Sequence, residues 1–187
     1  RADLIAAAGE ADVAIGFEDG DGDPRHAVIA RRGNSSWVLR VSGTPAHSSQ
    51  IFRADLGSGA VYEAARILVA FRDSLSIEPY LTVNPGMVVG GTTITFDPEA
   101  SRGTAFGKTN VIAESTLVTG DLRTISIEQR EGAKAIMRRI VAASPPHAGA
   151  GITFSDGYPP LAPADGNRRL LAIYDRASRD LGLGPVE

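Results

Sequence analysis

His47 is the residue of this chain whose neighbours best equip it for chemistry. It ends the run V-L-R-V-S-G-T-P-A-H from Val38, in which Val38 to Val41 alternates as a half-buried strand and Gly43, Thr44 and Pro45 form a turn. An imidazole held at a strand end can donate to an oxyanion, take a proton or bind a metal. A surface turn histidine does none of these, and the segment alone leaves both readings open. Glu18 is a second candidate. It follows Asp12 to Phe17, a short apolar run that reads as a buried strand, and ligands in open α/β sheets gather beyond the carboxyl ends of strands. The plain alternative is a solvated acid among Asp19, Asp21 and Asp23.

Two other segments imitate ligand loops and fail on detail. Asp19 to Pro24 begins like a calcium loop, but Pro24 and Ala30 stand where the EF-hand needs glycine and glutamate. Gly103 to Thr109, G-T-A-F-G-K-T, is one residue short of the phosphate loop, and the sequence after it continues as strand rather than helix. No serine has the setting of a nucleophile elbow.

The 187 residues suit one domain with pieces of a second. A composition 43% hydrophobic and 22% charged, with net charge -3, offers no basic face for nucleic acid. The absence of cysteine removes thiolate catalysis and disulfides and leaves histidine and carboxylates as metal ligands. No apolar run approaches the ~18 residues of a membrane span, so neither nucleic acid nor membrane is expected as a partner. The compartment is not legible. The chain starts without Met or a signal-peptide pattern, and reads as cut from something longer.

The elements that must position these residues follow from periodicity. Asp3 to Glu10 reads as a short helix, and a strand at Val28 to Ile29 resumes at Trp37 to Val41. Gly59 to Leu75 has a helical apolar stripe, Leu81 to Val89 and Gly91 to Phe96 are β-branched strand material, and Ser115 to Ile125 is a further strand. Ser126 with Gln129 forms a capping box that opens a helix reaching Ala143. Gly151 to Ser155 reads as a strand and Asn167 to Leu181 as a last amphipathic helix ended by Gly182. The middle is therefore α+β, a ferredoxin-like β-α-β-β-α-β unit with a four-stranded antiparallel sheet and two helices on one face. Residues 1–22 and 159–187 read as stumps of an α/β domain into which residues 23–158 are inserted.

Three segments together carry a resemblance: R-R-G at Arg31 to Gly33, V-S-G-T-P-A-H-S at Val41 to Ser48, and K-T-N-V-I-A-E-S-T-L-V-T-G-D-L-R at Lys108 to Arg123. In this order the chain resembles the cocatalytic zinc carboxypeptidases and amidohydrolases, among them carboxypeptidase G, glutamate carboxypeptidase, succinyl-diaminopimelate desuccinylase and the aminoacylases. The resemblance implies that residues 23–158 are a lid and dimerisation domain, and that the flanks belong to an α/β zinc-peptidase catalytic domain. It implies a homodimer through the lid sheet edge and helix 59–75, acting on an N-acyl amino acid or peptide. His47 then reaches into the partner's active site to polarise the scissile carbonyl, a role that suits an oxyanion donor. Asn110 and Arg123 contact substrate, the arginine through its free carboxylate. A-D-V-A-I-G-F-E at Ala11 to Glu18 resembles the segment that carries a metal-binding acid, which makes Glu18 the expected ligand of one of two zinc ions.

The departures carry expectations too. The remaining zinc ligands and the general base of the family are expected before Arg1 and after Glu187, so this stretch alone should be inert and should not hold zinc usefully. Ala113 replaces a proline common in the family, and Val88 to Gly107 is longer than in carboxypeptidase G. Two other readings stay open: a pure self-association module, and a regulatory module that binds a small molecule within the same topology.

Overall fold

The computed structural model describes residues 2–16 and 22–187. The elements in chain order are α1 (Ala2–Glu10), β1 (Gly33–Gly43), a 3-10 turn (Ser48–Gln50), α2 (Gly59–Leu75), β2 (Thr82–Gly91), β3 (Thr93–Asp97), β4 (Arg102–Phe106), β5 (Ser115–Thr124), α3 (Ile127–Ala142), β6 (Ala148–Asp156) and α4 (Asp165–Asp180). They fall into two units, one of residues 30–163 and one of residues 1–29 with 164–187.

In the larger unit the strands run β2-β5-β1-β6, every neighbour antiparallel. This is the ferredoxin-like order expected of a β-α-β-β-α-β chain. Alternation along β1 buries Ser35, Trp37, Leu39 and Val41. Their register partners on β5 include Leu122 and Val118, so one face of the sheet is apolar. Helices α2 and α3 cover that face with Ala64, Ile67, Phe71, Met137 and Val141. Trp37 meets Phe71 edge to face at 5.9 Å. The capping box forms as the spacing requires, with the Gln129 amide donating to Ser126 Oγ at 3.1 Å. Glu63 is buried in α2 and paired with Arg66 at 2.7 Å; Arg66 also donates to the Ile140 carbonyl, tying α2 to α3.

Two expectations are corrected. Residues 12–16 form no strand and lie exposed, Val13 and Ile15 included, because no described neighbour offers them a ladder. Val28 and Ile29 are not strand either: the Ala27 amide donates to the Glu187 carbonyl and the Glu187 amide to the Arg25 carbonyl, so this stretch is held by the chain's last residues. Within Val88 to Gly107 the expected strand at Gly91 to Phe96 is present as β3, and it pairs with β4 as a separate two-stranded hairpin inserted between the second and third sheet strands. In the smaller unit Asn167 Nδ2 donates to the Ile29 carbonyl and the Val186 amide to Asp175 Oδ1, which seats α4 against both flanks.

Candidate functional site

The sheet has two chemically distinct ends, and β1 is bounded at each by a glycine that a close backbone approach requires. A Cβ on Gly43 would lie 2.5 Å from the Ala60 nitrogen, and one on Gly33 would lie 2.4 Å from the Pro160 nitrogen. The glycines of the two motifs are thus steric necessities.

Beyond Gly43 the chain forms a strap. The Ile112 amide donates to the Ala46 carbonyl and the Ser48 amide to the Asn110 carbonyl, each at 2.9 Å, and between these bonds His47 pairs with Val111 as an isolated antiparallel bridge. His47 and Asn110 are therefore brought together by main-chain bonds, with both residues exposed. His47 also caps the short 3-10 turn: the Ser49 amide donates to its Nδ1 at 3.2 Å, and the Ser49 hydroxyl lies 2.8 Å from the same nitrogen. An Nδ1 that accepts from a backbone amide fixes the neutral ring as the Nε2-protonated tautomer. The outward nitrogen is then a donor, as oxyanion stabilisation needs.

Arg123 lies at the opposite end. It pairs with Asn34 on β1 and Thr82 on β2, eight positions along β5 from Ser115, which puts it about 25 Å along the strand from the strap. Its Nε donates to Asp121 at 2.7 Å and its Nη1 to the Tyr158 hydroxyl at 2.6 Å. The Asp121 carboxylate beside it raises the guanidinium pKa further, so the side chain is a permanent cation in a fixed orientation. Of the three lid candidates, the fold brings together His47 and Asn110 and separates both from Arg123.

Sequence reasoning missed what surrounds Arg123. Arg31, Arg32, Tyr158, Pro159 and Leu161 share an open hollow with it. The signal was present in the R-R-G motif just before β1. Nothing local showed that residues 157–161 fold back over that motif, with Arg31 and Leu161 exchanging two backbone bonds of 2.9 Å.

Glu18 lies outside the described residues. Among the described residues no three His, Asp or Glu side chains are grouped to hold a metal. The phosphate-loop look-alike runs through β4 into a turn at residues 109–110, with β5 starting only at Ser115, so its amides open no helix.

Residues 29–149 match the peptidase dimerisation domain family, and the chain belongs to it. Among solved structures, aminopeptidase PepT from Bacillus cereus is similar with a TM-score of 0.63 and 20% identity over 89% of this chain and 40% of that one. A tripeptidase from Staphylococcus aureus gives 0.62 at 18% over 90% and 41%, and a hydantoinase/carbamoylase family amidase from Burkholderia ambifaria 0.56 at 19% over 86% and 35%. The chain thus spans well under half the length of each, and at these identities the likeness is one of fold. No curated protein matches the sequence.

Proposed function

We propose that this chain is the lid and dimerisation domain, with flanking catalytic-domain segments, of a zinc-dependent carboxypeptidase-like amide hydrolase. The observation that carries the reading is the strap, whose main-chain bonds hold His47 and Asn110 together, both exposed, at one end of a sheet whose other end bears Arg123. A scissile amide next to a free carboxylate spans only a few bonds. No single copy can therefore bring an oxyanion donor and a carboxylate clamp about 25 Å apart to one substrate. A symmetric dimer can, since its two-fold axis carries one copy's strap toward the site served by the other copy's arginine. His47 then polarises the carbonyl of the substrate in the partner's site, Asn110 contacts it, and Arg123 holds the carboxylate in its own subunit.

Zinc would activate the attacking water in such a hydrolase. The residues described here do not make a site for it, and Glu18 alone is one ligand where about three are needed. Its other ligands belong to the remainder of a longer protein, and this stretch by itself is inert.

The dimer surface is argued from exposure. Strand β2 is a sheet edge, and α2 beside it exposes Val61, Tyr62 and Val69, with Val88 exposed on β2 itself. An apolar helix flank next to an open edge suits pairing with a second copy. Sedimentation equilibrium tests this: a dimer at micromolar concentration is expected, converted to monomer by Val69→Asp with Tyr62→Asp. A monomer at all concentrations would overturn the homodimer, and with it the shared site.

A further inference from the structure

The face of the sheet turned away from α2 and α3 is covered only in part. Alternation along β1 places Val38, Arg40 and Ser42 on that face, opposite Trp37, Leu39 and Val41. Leu117 on β5 pairs with Arg40 on one side and with Val89 on the other, so these three share the face. Leu117 is fully buried although it stands outside the core beneath the helices. Its cover is the inserted hairpin, which packs so closely that a Cβ on Gly103 of β4 would lie 2.6 Å from Val89 Cγ2. The hairpin rests on β2 and β5, while Arg40 on β1 and Gly151 and Thr153 on β6 stay exposed.

At this step between covered and bare sheet lies a hollow of about 450 Å³, lined by Ile94 of the hairpin, Arg40 and Ser42 of β1, Ser115 of β5, and Gly149 and Gly151 of β6. Neither the Arg40 guanidinium nor the Ser115 hydroxyl has a hydrogen-bond or ion-pair partner among the described residues. Gly151 is the register partner of Arg40, and a Cβ there would meet nothing within 4 Å. The floor beside the guanidinium is therefore bare backbone, with the Ser42 hydroxyl drawn down to the Gly149 carbonyl at 3.4 Å.

We propose that this hollow is an effector site for a small organic carboxylate with a short branched apolar tail, its charge on the Arg40 fork and its tail against Ile94 over the Gly151 floor. A planar guanidinium suits a carboxylate bidentately, and the Ser115 hydroxyl adds a donor. With one cation in the lining and the rest hydroxyl, aliphatic or glycine, the site favours a singly charged, partly apolar molecule over phosphate. The root of the hairpin carries the consequence. The Thr92 amide donates to the Phe106 carbonyl at 2.8 Å and the Glu114 amide to the Gly91 carbonyl at 3.0 Å, so the hairpin is tied to the segment that runs from Asn110 into β5. A ligand touching both Ile94 and Arg40 favours the arrangement in which the hairpin lies against β1, and biases the Asn110 segment with it.

The test is an NMR titration of the 187-residue chain with isovalerate, isovaleramide, acetate and inorganic phosphate. Isovalerate should shift the Arg40 Nε–Hε signal and the Ile94 and Ser115 amides, and should bind about tenfold tighter than isovaleramide and several-fold tighter than acetate. The Asn110 amide should move along the same saturation curve. Arg40→Gln should remove the margin over the amide and Arg40→Lys should keep part of it. Gly151→Val should abolish binding by filling the floor, in a strand position that accepts a β-branched residue. Equal affinity for acid and amide, acetate or phosphate binding as tightly as isovalerate, or undiminished binding by Gly151→Val overturns the site. A response at Arg123 with Arg40 unmoved also overturns it, since the acid then sits at the other end of the sheet. An Asn110 signal that stays fixed while Arg40 saturates overturns the effector role. Arg40 and Gly151 are exposed, so their variants should keep the fold, which the unshifted remainder of the spectrum verifies.

Discussion

At the Gly43 end of the sheet His47 and Asn110 are positioned by main-chain bonds and keep their outward donors free, whereas at the Gly33 end Arg123, Arg32 and Tyr158 are tied through their side chains. The arginine end is preorganised before any ligand arrives. Its other face is braced as well: Lys134, a buried residue of α3, donates to Asp156 at 2.7 Å, and Ser35 donates to the same carboxylate at 2.6 Å. At the strap end the side-chain support is local, the Ser49 hydroxyl against His47 Nδ1, and both His47 and Asn110 are exposed, which fits the proposed target on another chain. In the proposed dimer the side chains braced by their neighbours serve their own subunit, and the exposed strap, with His47 held only by Ser49 at Nδ1, serves the partner.

That contrast breaks most visibly at His47. In the full-length hydrolase His47→Ala should lower kcat by about 100- to 1000-fold with little change in KM, as for loss of one oxyanion donor. Steady-state kinetics on an N-acyl amino acid measures it, and an effect on KM alone would make His47 a turn residue. At the other end Arg123→Ala should act mainly on KM, by ~30-fold or more for a lost charge-assisted pair of about 2–3 kcal/mol. The same variant should erase the preference for a free carboxylate over its amide.

The bracing of the arginine end predicts a smaller, purely structural effect. The Lys134 ammonium, and after it the Ser35 hydroxyl, hold the Asp156 carboxyl below the usual carboxylate range. A depressed folded pKa contributes stability that is present above the ordinary carboxylate value and is lost as pH falls below it. Lys134→Met should therefore cost ~1–2 kcal/mol at neutral pH, discounted because Asp156 is 38% exposed. It should also flatten the fall in stability below about pH 4, which urea unfolding at two pH values checks. Smallest of all is the expected response to zinc: the thermal midpoint of this chain should stay within about 1 °C on adding the ion. A large rise abolished by Glu18→Ala would place a working site in these residues.

Much of the fold was legible in the sequence because period and capping agree along it. Helix α2 spans Gly59–Leu75 as its stripe indicates, and the Ser126 cap begins α3 within one residue. The Asp12 to Phe17 run misled for a physical reason: apolar composition marks burial, but a strand also needs a partner ladder, and none reaches residues 12–16. The hairpin was half legible, since β3 alternates clearly while Gly103 and Ala105 give β4 little side-chain signal. His47 and Asn110 could be named from their motifs, yet their adjacency arises from bonds between segments more than sixty residues apart. The cluster around Arg123 depends on the return of residues 157–161, which no local pattern announces.

The central claim is that one sheet serves two active sites, the strap acting across the dimer and the arginine within its own subunit. Mixing His47→Ala and Arg123→Ala forms of the full-length enzyme tests it, with heterodimers isolated by two affinity tags. Assayed at substrate well below the wild-type KM, where loss of either residue is expressed, the His47→Ala subunit of a heterodimer keeps its own Arg123 and borrows His47 from its partner, so one site is complete and about half of wild-type activity should return, against little in either parent homodimer. If both residues serve the same site, whether their own or the partner's, no heterodimer site is complete, and verified heterodimers as inactive as the parents would contradict the account.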